Sequence, residues 1–147
     1  MKQIIQDTMR HFNITGEGFS FVDPELEDLF QTYSKPRSDY WVYVNTENKP
    51  MGGAGVGSVK GLEDDNICEL QKMYVDRRFH GQGMGVALLE HCLSMAKSYG
   101  YKHIYLETVA QLSRANQLYK KYGFRQLSQA LGHTGHHKCD IRMLKDL

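Results

Sequence analysis

The chain has 147 residues, with 18 Lys+Arg against 17 Asp+Glu and a formal net charge of +1 at pH 7. That length suits one domain and is too short for a dinucleotide-binding domain followed by a separate substrate domain. A near-neutral charge supplies no whole-molecule field toward nucleic acid or an anionic membrane, so neither is expected as a partner.

The 3 cysteines, Cys68, Cys92 and Cys139, are odd in number and form no Cys-x-x-Cys pair. This spacing argues against a disulfide framework or a cysteine-based zinc site and suits a reducing compartment. The start, Met-Lys-Gln-Ile-Ile-Gln-Asp, lacks the apolar stretch of a signal peptide, and no run approaches a membrane span. A soluble, cytoplasmic protein is expected.

In chain order, Ile4, Ile5, Met9 and Phe12 predict a helix over residues 2–12, broken by Gly16 and Gly18. Asp23-Pro24-Glu25 reads as an N-cap, a first-turn proline and an acid opening a second helix that carries Leu26, Leu29, Phe30 and Tyr33. Residues 40–44 and 51–59 are β-like and joined by a polar turn, which predicts a hairpin; a further strand follows over 67–75. From Gln82 the period changes to a helical stripe of Gly85, Leu88, Leu89, Cys92, Ala96 and Tyr99, stopped at Gly100. A strand over 103–109, a helix from Ser113 to Gly123, a short strand near Phe124 and a last strand over 138–144 complete the chain. Strand, helix and strand in succession predict a parallel crossover inside an otherwise antiparallel sheet, hence an α+β or mixed α/β fold.

The segment richest in chemistry is His80-Gly81-Gln82-Gly83-Met84-Gly85, between a strand and the amphipathic helix. Glycines there let backbone N–H groups converge at a helix N-terminus, an arrangement suited to phosphate. Neither glycine pair is followed by the third Gly or Ala of the dinucleotide fingerprint, and the chain has no Gly-Lys-Ser or Gly-Lys-Thr. A nicotinamide dinucleotide and a P-loop nucleotide are therefore disfavoured.

The order Met73-Tyr74-Val75, Gly81-x-Gly83-x-Gly85, an amphipathic helix, Leu106-Glu107-Thr108, then Ala115-x-x-Leu118-Tyr119-x-x-x-Gly123-Phe124 resembles the GNAT superfamily of N-acetyltransferases. Cys68 to Tyr74 and Gly132-x-Thr134-Gly135-His136-x-x-Cys139 resemble stretches of a GNAT subgroup, extending the likeness over most of the chain. The resemblance implies the acyl-CoA N-acyltransferase fold, a mostly antiparallel sheet with one splayed parallel pair flanked by helices. It implies acetyl-CoA as donor, its pyrophosphate held by the loop amides of Gly81, Gln82, Gly83, Met84, Gly85 and Val86, with His80 beside them. It also implies backbone bonds from Met73 and Val75 to the pantetheine arm, and a strand N–H near Met73 or Tyr74 facing the acetyl oxygen. Two positions depart from the family: His80 stands where Arg or Gln is usual, and Leu112 where an Asn is common.

Acetyl transfer to an amine needs a base, because an ammonium of the lysine type has a pKa near ~10.4. Glu69 stands where some family members place a catalytic carboxylate, and Glu107 on the neighbouring strand is the second candidate. A salt-bridged strand glutamate is the competing reading of Glu69. Tyr119 occupies the family's general-acid position beside the cofactor; its spacing also fits an ordinary core stripe with Ala115, Leu118 and Tyr122. His133, His136, His137 and Cys139 match no familiar zinc spacing, so no metal is expected. They read instead as a loop lining the acceptor site together with the segment around Gly16 to Glu25, with His133, His136 and Glu107 as substrate contacts.

The expectation is one GNAT domain over residues 1–147 that acetylates a small amine or amino-acid-like acceptor by direct transfer in a ternary complex. A protein amine acceptor and a non-catalytic acyl-CoA-binding domain are the alternatives. Family members often pair as homodimers and usually begin with a strand, whereas this sequence begins in helix, so the usual first strand looks absent.

Overall fold

The structure, a computed structural model, describes residues 1–63 and 65–147. Helix α1 (Lys2–His11) buries Ile5 and Met9 on the face that also meets Ile14, Leu26 and Val109. Two single 3₁₀ turns, Ser20–Val22 and Pro24–Leu26, and the short helix α2 (Leu29–Thr32) follow. The long second helix expected from Asp23 does not form. Asp28 caps α2 by accepting the Gln31 N–H at 2.9 Å, while the Asp23 carboxylate is drawn away to Lys72 and His136. A buried ion pair competes successfully here with a local cap.

The sheet has 6 strands: β1 (Asp39–Val44), β2 (Pro50–Ser58), β3 (Ile67–Val75), β4 (His103–Thr108), β5 (Arg125–Leu127) and β6 (Ile141–Asp146), in the order β1-β2-β3-β4-β6-β5. Only β3 and β4 pair in parallel; the other neighbours are antiparallel. The connection between them is α3 (Met84–Ser98), and α4 (Ser113–Lys121) joins β4 to β5. Leu88, Leu89, Cys92 and Ala96 of α3 pack on Ala54, Val56, Cys68, Leu70, Ile104 and Met143 of the sheet, forming the main core. The last strand starts later than expected because residues before it turn back, Cys139 N–H donating to His136 O at 2.9 Å. All 3 cysteines are buried and free.

Two features of β3 shape the site. Its pairing with β4 is confined to Ile67–His103, Cys68–Ile104 and Glu69–Tyr105, and beyond that point the strands separate into a wedge. Against β2 the register shifts between Gly53 and Gly55, and Lys72 adopts a left-handed φ of 49°. This extra residue reverses the side-chain alternation. Cys68 and Leu70 face the α3 core before the bulge, and Met73 and Val75 face it after; Tyr74 packs instead with the α1 cluster. Glu69, Gln71, Lys72 and Tyr74 thereby line one cavity. Gly55 matters for the same face, because a Cβ there would stand 2.6 Å from the Tyr33 ring.

β1 forms a sheet edge, with no strand on its outer side among the described residues. Among the described residues no helix is long and apolar enough to cross a membrane.

Candidate active site

The wedge between β3 and β4 opens into a cavity of about 1210 Å³ that runs from the glycine loop to α1 and the loop before β6. At one end its wall consists of Arg77, His80, Gly81, Gly83, Met84, Gly85 and Val86, with Arg114 across from them on α4. Gly83 is the N-cap of α3 at φ 83°, and no side chain caps the helix. The first N–H groups of α3 are thus left for a ligand, and the helix dipole favours an anion there. The free cap and adjoining cations fit a pyrophosphate. Arg78 is committed to Asp76, Nη2 to Oδ2 at 2.6 Å, and Gln82 is not in the cavity wall. A His80 ring nitrogen lies 2.9 Å from Val75 O, which fastens the loop to the end of β3.

Midway along the cavity, Tyr119 of α4 is 6% exposed and belongs to both the core and the cavity wall. Its hydroxyl points to Met73 Sδ at 3.9 Å, a weak contact that leaves the proton available to a better acceptor. Burial raises the phenol above its ordinary range, so it stays protonated. The core and acid readings of Tyr119 are thus compatible. Leu112, where an Asn was expected, lines the cavity, while α4 is tied to the end of β4 by Asn116 Nδ2, which donates to Val109 O at 2.9 Å.

The other end gathers residues from five segments. Glu69 is 5% exposed, and burial pushes its carboxyl up to about 7 against the opposing pull of Gln71, His136 and Lys72. Tyr33 Oη donates to Gln71 Oε1 at 2.9 Å, and Gln71 Nε2 donates to Glu69 Oε2 at 2.7 Å, so one carboxylate oxygen is fixed and Oε1 is left over. Glu107 accepts from Tyr105 Oη and Thr134 Oγ1, each at 2.6 Å. His136 Nδ1 lies 3.6 Å from Glu107 Oε2, and its Nε2 lies 3.0 Å from Asp23 Oδ2 and 3.3 Å from Ser20 Oγ. Burial disfavours the charged ring, yet the bond and charge of Asp23 hold His136 above its ordinary value. Asp23 in turn is held below its ordinary value, its burial offset by bonds from His136 and Lys72.

His133 is not brought to the cavity. Its N–H donates to Lys60 O at 2.7 Å, and its ring packs at Gly61. His137 is also directed elsewhere, with Nδ1 3.2 Å from Gly135 O. Cys139 lines the cavity, but burial pushes its thiol up to about 12. The histidines and cysteine of this loop therefore do not converge as a ligand set. Ligand atoms of Glu69, Glu107 and His136 do lie within 4.8 Å of one another, which sets two carboxylates side by side next to the imidazole. Sequence reading missed Tyr33, Gln71 and Lys72 as members of the site, while Asp23 and Ser20 lie in the segment it assigned to the acceptor. The alternation of Glu69 and Gln71 was an available signal; the joining of Asp23 to Lys72 had none.

The sequence model of the Acetyltransferase (GNAT) family matches residues 2–124. The chain belongs to this family. A curated relative, the uncharacterised N-acetyltransferase YjgM of Escherichia coli strain K12, is 40% identical over 146 residues, 99% of this chain and 86% of that protein. The N-acetylaspartate synthetase of Homo sapiens is 36% identical over 104 residues, 70% of this chain but 33% of that protein. Among solved structures, a GNAT-family acetyltransferase of Staphylococcus aureus Mu50 superposes with a TM-score of 0.83 at 23% identity, covering 98% of this chain and 89% of that one. This GNAT acetyltransferase is thus an acyltransferase by family.

Proposed function

We propose that this acetyltransferase moves the acetyl group of acetyl-CoA onto a primary amine of a small, amino-acid-like acceptor, with both substrates in the cavity at once. The observation that carries the reading is a single cavity joining an anion-binding helix start to a buried carboxylate and a buried phenol. The name of the human relative, N-acetylaspartate synthetase, supports an amino-acid-like acceptor.

The residues take complementary parts. Gly81 and Gly83 to Val86 present amides to the pyrophosphate, and Met73 and Val75 offer backbone bonds along the wedge. Glu69 accepts a proton from the acceptor ammonium through its unassigned oxygen, with the Glu107 carboxylate adjoining to steady the incoming cation. An amide near Met73 or Tyr74, released from β4 by the splay, faces the acetyl oxygen. Tyr119 returns a proton to the departing thiolate, whose conjugate acid has a pKa near ~8.5 if it resembles cysteine.

Thiol release from acetyl-CoA across an amine panel tests the reading. Amine-dependent release supports it. A melting temperature raised by CoA, with no release for any amine, would leave a binding domain only.

A further inference from the structure

Lys72 is the residue of this site that the proton chemistry does not use. Its side chain is 7% exposed, yet the residue lines the cavity. It also takes a left-handed φ of 49°, a conformation that costs an unbranched L-residue on the order of ~1 kcal/mol or more and that collects at functional sites. An ammonium carries three donors. Among the described residues the structure gives this one a single acceptor, Asp23 Oδ2 at 2.8 Å. Burying a cation with two donors unspent is unfavourable unless something else accepts them.

The surroundings say what that is. Lys72 and His136 both close on Asp23, so the Lys72 ammonium and a histidine that this carboxylate holds toward its charged form meet at this corner. Glu69 and Glu107 form the opposite, anionic corner, with Glu69 Oε1 unassigned. A wall of opposite polarity at neighbouring points matches a molecule with ammonium and carboxylate groups close together. We propose that Lys72 is a specificity residue that binds a carboxylate of the acceptor through its two free N–H groups, so that the acceptor is an amino acid rather than a simple amine. This rests on the acetyltransferase reading of the same cavity and adds the chemical group that selects the acceptor. The bulge that gives Lys72 its φ also turns it onto the face of Glu69, which places the amine-binding and carboxylate-binding groups on one strand.

The test compares matched pairs: L-arginine with agmatine, L-lysine with cadaverine, L-histidine with histamine, L-tyrosine with tyramine, and glycine with methylamine. Thiol release should give a higher kcat/KM for the amino acid than for its decarboxylated partner in at least one pair. Lys72→Met should reduce that ratio by about ten- to a hundredfold, the factor carried by a charged hydrogen bond, mainly through KM. Lys72→Arg should restore part of it. Because Lys72→Met strands a buried carboxylate, Asp23→Asn/Lys72→Met is measured alongside and should show the same reduced ratio. Equal use of both members of every pair, or an unchanged ratio in the variants, overturns the assignment while leaving acetyl transfer intact. A second arm needs no turnover. With CoA present, an accepted amino acid should raise the Tm of the wild type more than that of the double variant. That difference without any thiol release would keep Lys72 and sink the catalytic reading; no difference in either arm sinks Lys72.

Discussion

The two ends of the cavity are built in different ways. The end at α3 consists of nearly consecutive residues, Arg77, His80, Gly81 and Gly83 to Val86, and its chemistry is that of backbone amides at a helix start. The opposite end brings side chains from Ser20 and Asp23, Tyr33, β3, β4 and the loop before β6 into two adjoining hydrogen-bonded groups, one holding Glu69 and the other holding Glu107 and His136. Anion binding can be written locally, because a turn and a helix suffice. A buried carboxylate with a raised pKa requires neighbours that only tertiary structure supplies.

The strongest way to break this contrast is at the carboxylate. Glu69→Gln should lower kcat by about 10²- to 10⁴-fold, the span of general acid–base catalysis, while CoA binding stays near wild type. Stability should move the other way. The carboxyl rises from 4.5 to about 7 on folding, so the unfolded chain gives up this proton first and the native state loses stability as pH climbs through that interval. The variant lacks this loss and should melt higher than wild type at pH 8. A variant as active as the parent would move the base to Glu107. Tyr119→Phe follows, with a comparable or smaller loss in turnover and little change in CoA affinity; unchanged turnover would make the residue core alone.

Gly83→Val tests the other end and should act on binding. No atom lies within 4 Å of a Cβ built there, but φ 83° is a conformation that a branched residue resists. The cap would shift, and KM for acetyl-CoA should rise by about tenfold or more with kcat less affected. A fall in kcat alone would contradict the division between the two ends.

How much was legible follows the same division. The apolar stripe of α3, the glycine loop, the parallel crossover and the Tyr119 motif could all be read from residue order, because each is fixed by neighbours within one or two turns of chain. Asp23 shows the limit. Its Pro-Glu context is a sound helix start, and a lysine 49 positions away claims its carboxylate instead. His133 shows the converse: it shares a loop with His136, yet a backbone bond to Lys60 holds it outside the cavity. The bulge at Lys72 was the pivotal unknown, since one added residue decides which side chains of β3 join Glu69.

The smallest expected effect concerns how Glu69 is held. An ionised Glu69 can only accept, which turns the Gln71 NH₂ toward it and presents Oε1 to the Tyr33 hydroxyl, which burial keeps protonated and able to donate. That bond favours the ionised carboxylate and opposes the burial that raises it, in company with Lys72 and His136, while Glu107 works in the raising direction. Gln71→Leu removes the donor, so the acidic limb of the pH profile for kcat/KM should move to higher pH, and the rate at pH 7 should fall by about tenfold or less. Tyr33→Phe leaves the amide free to turn and should shift the limb in the same direction by less. Because both variants act through one bond, combining them should add little to Gln71→Leu alone. A merely structural role would lower the rate equally at all pH values. An unmoved limb in Gln71→Leu would therefore show that Glu69 is tuned by burial and charge alone, and that its order depends on the strand rather than on this chain of hydrogen bonds.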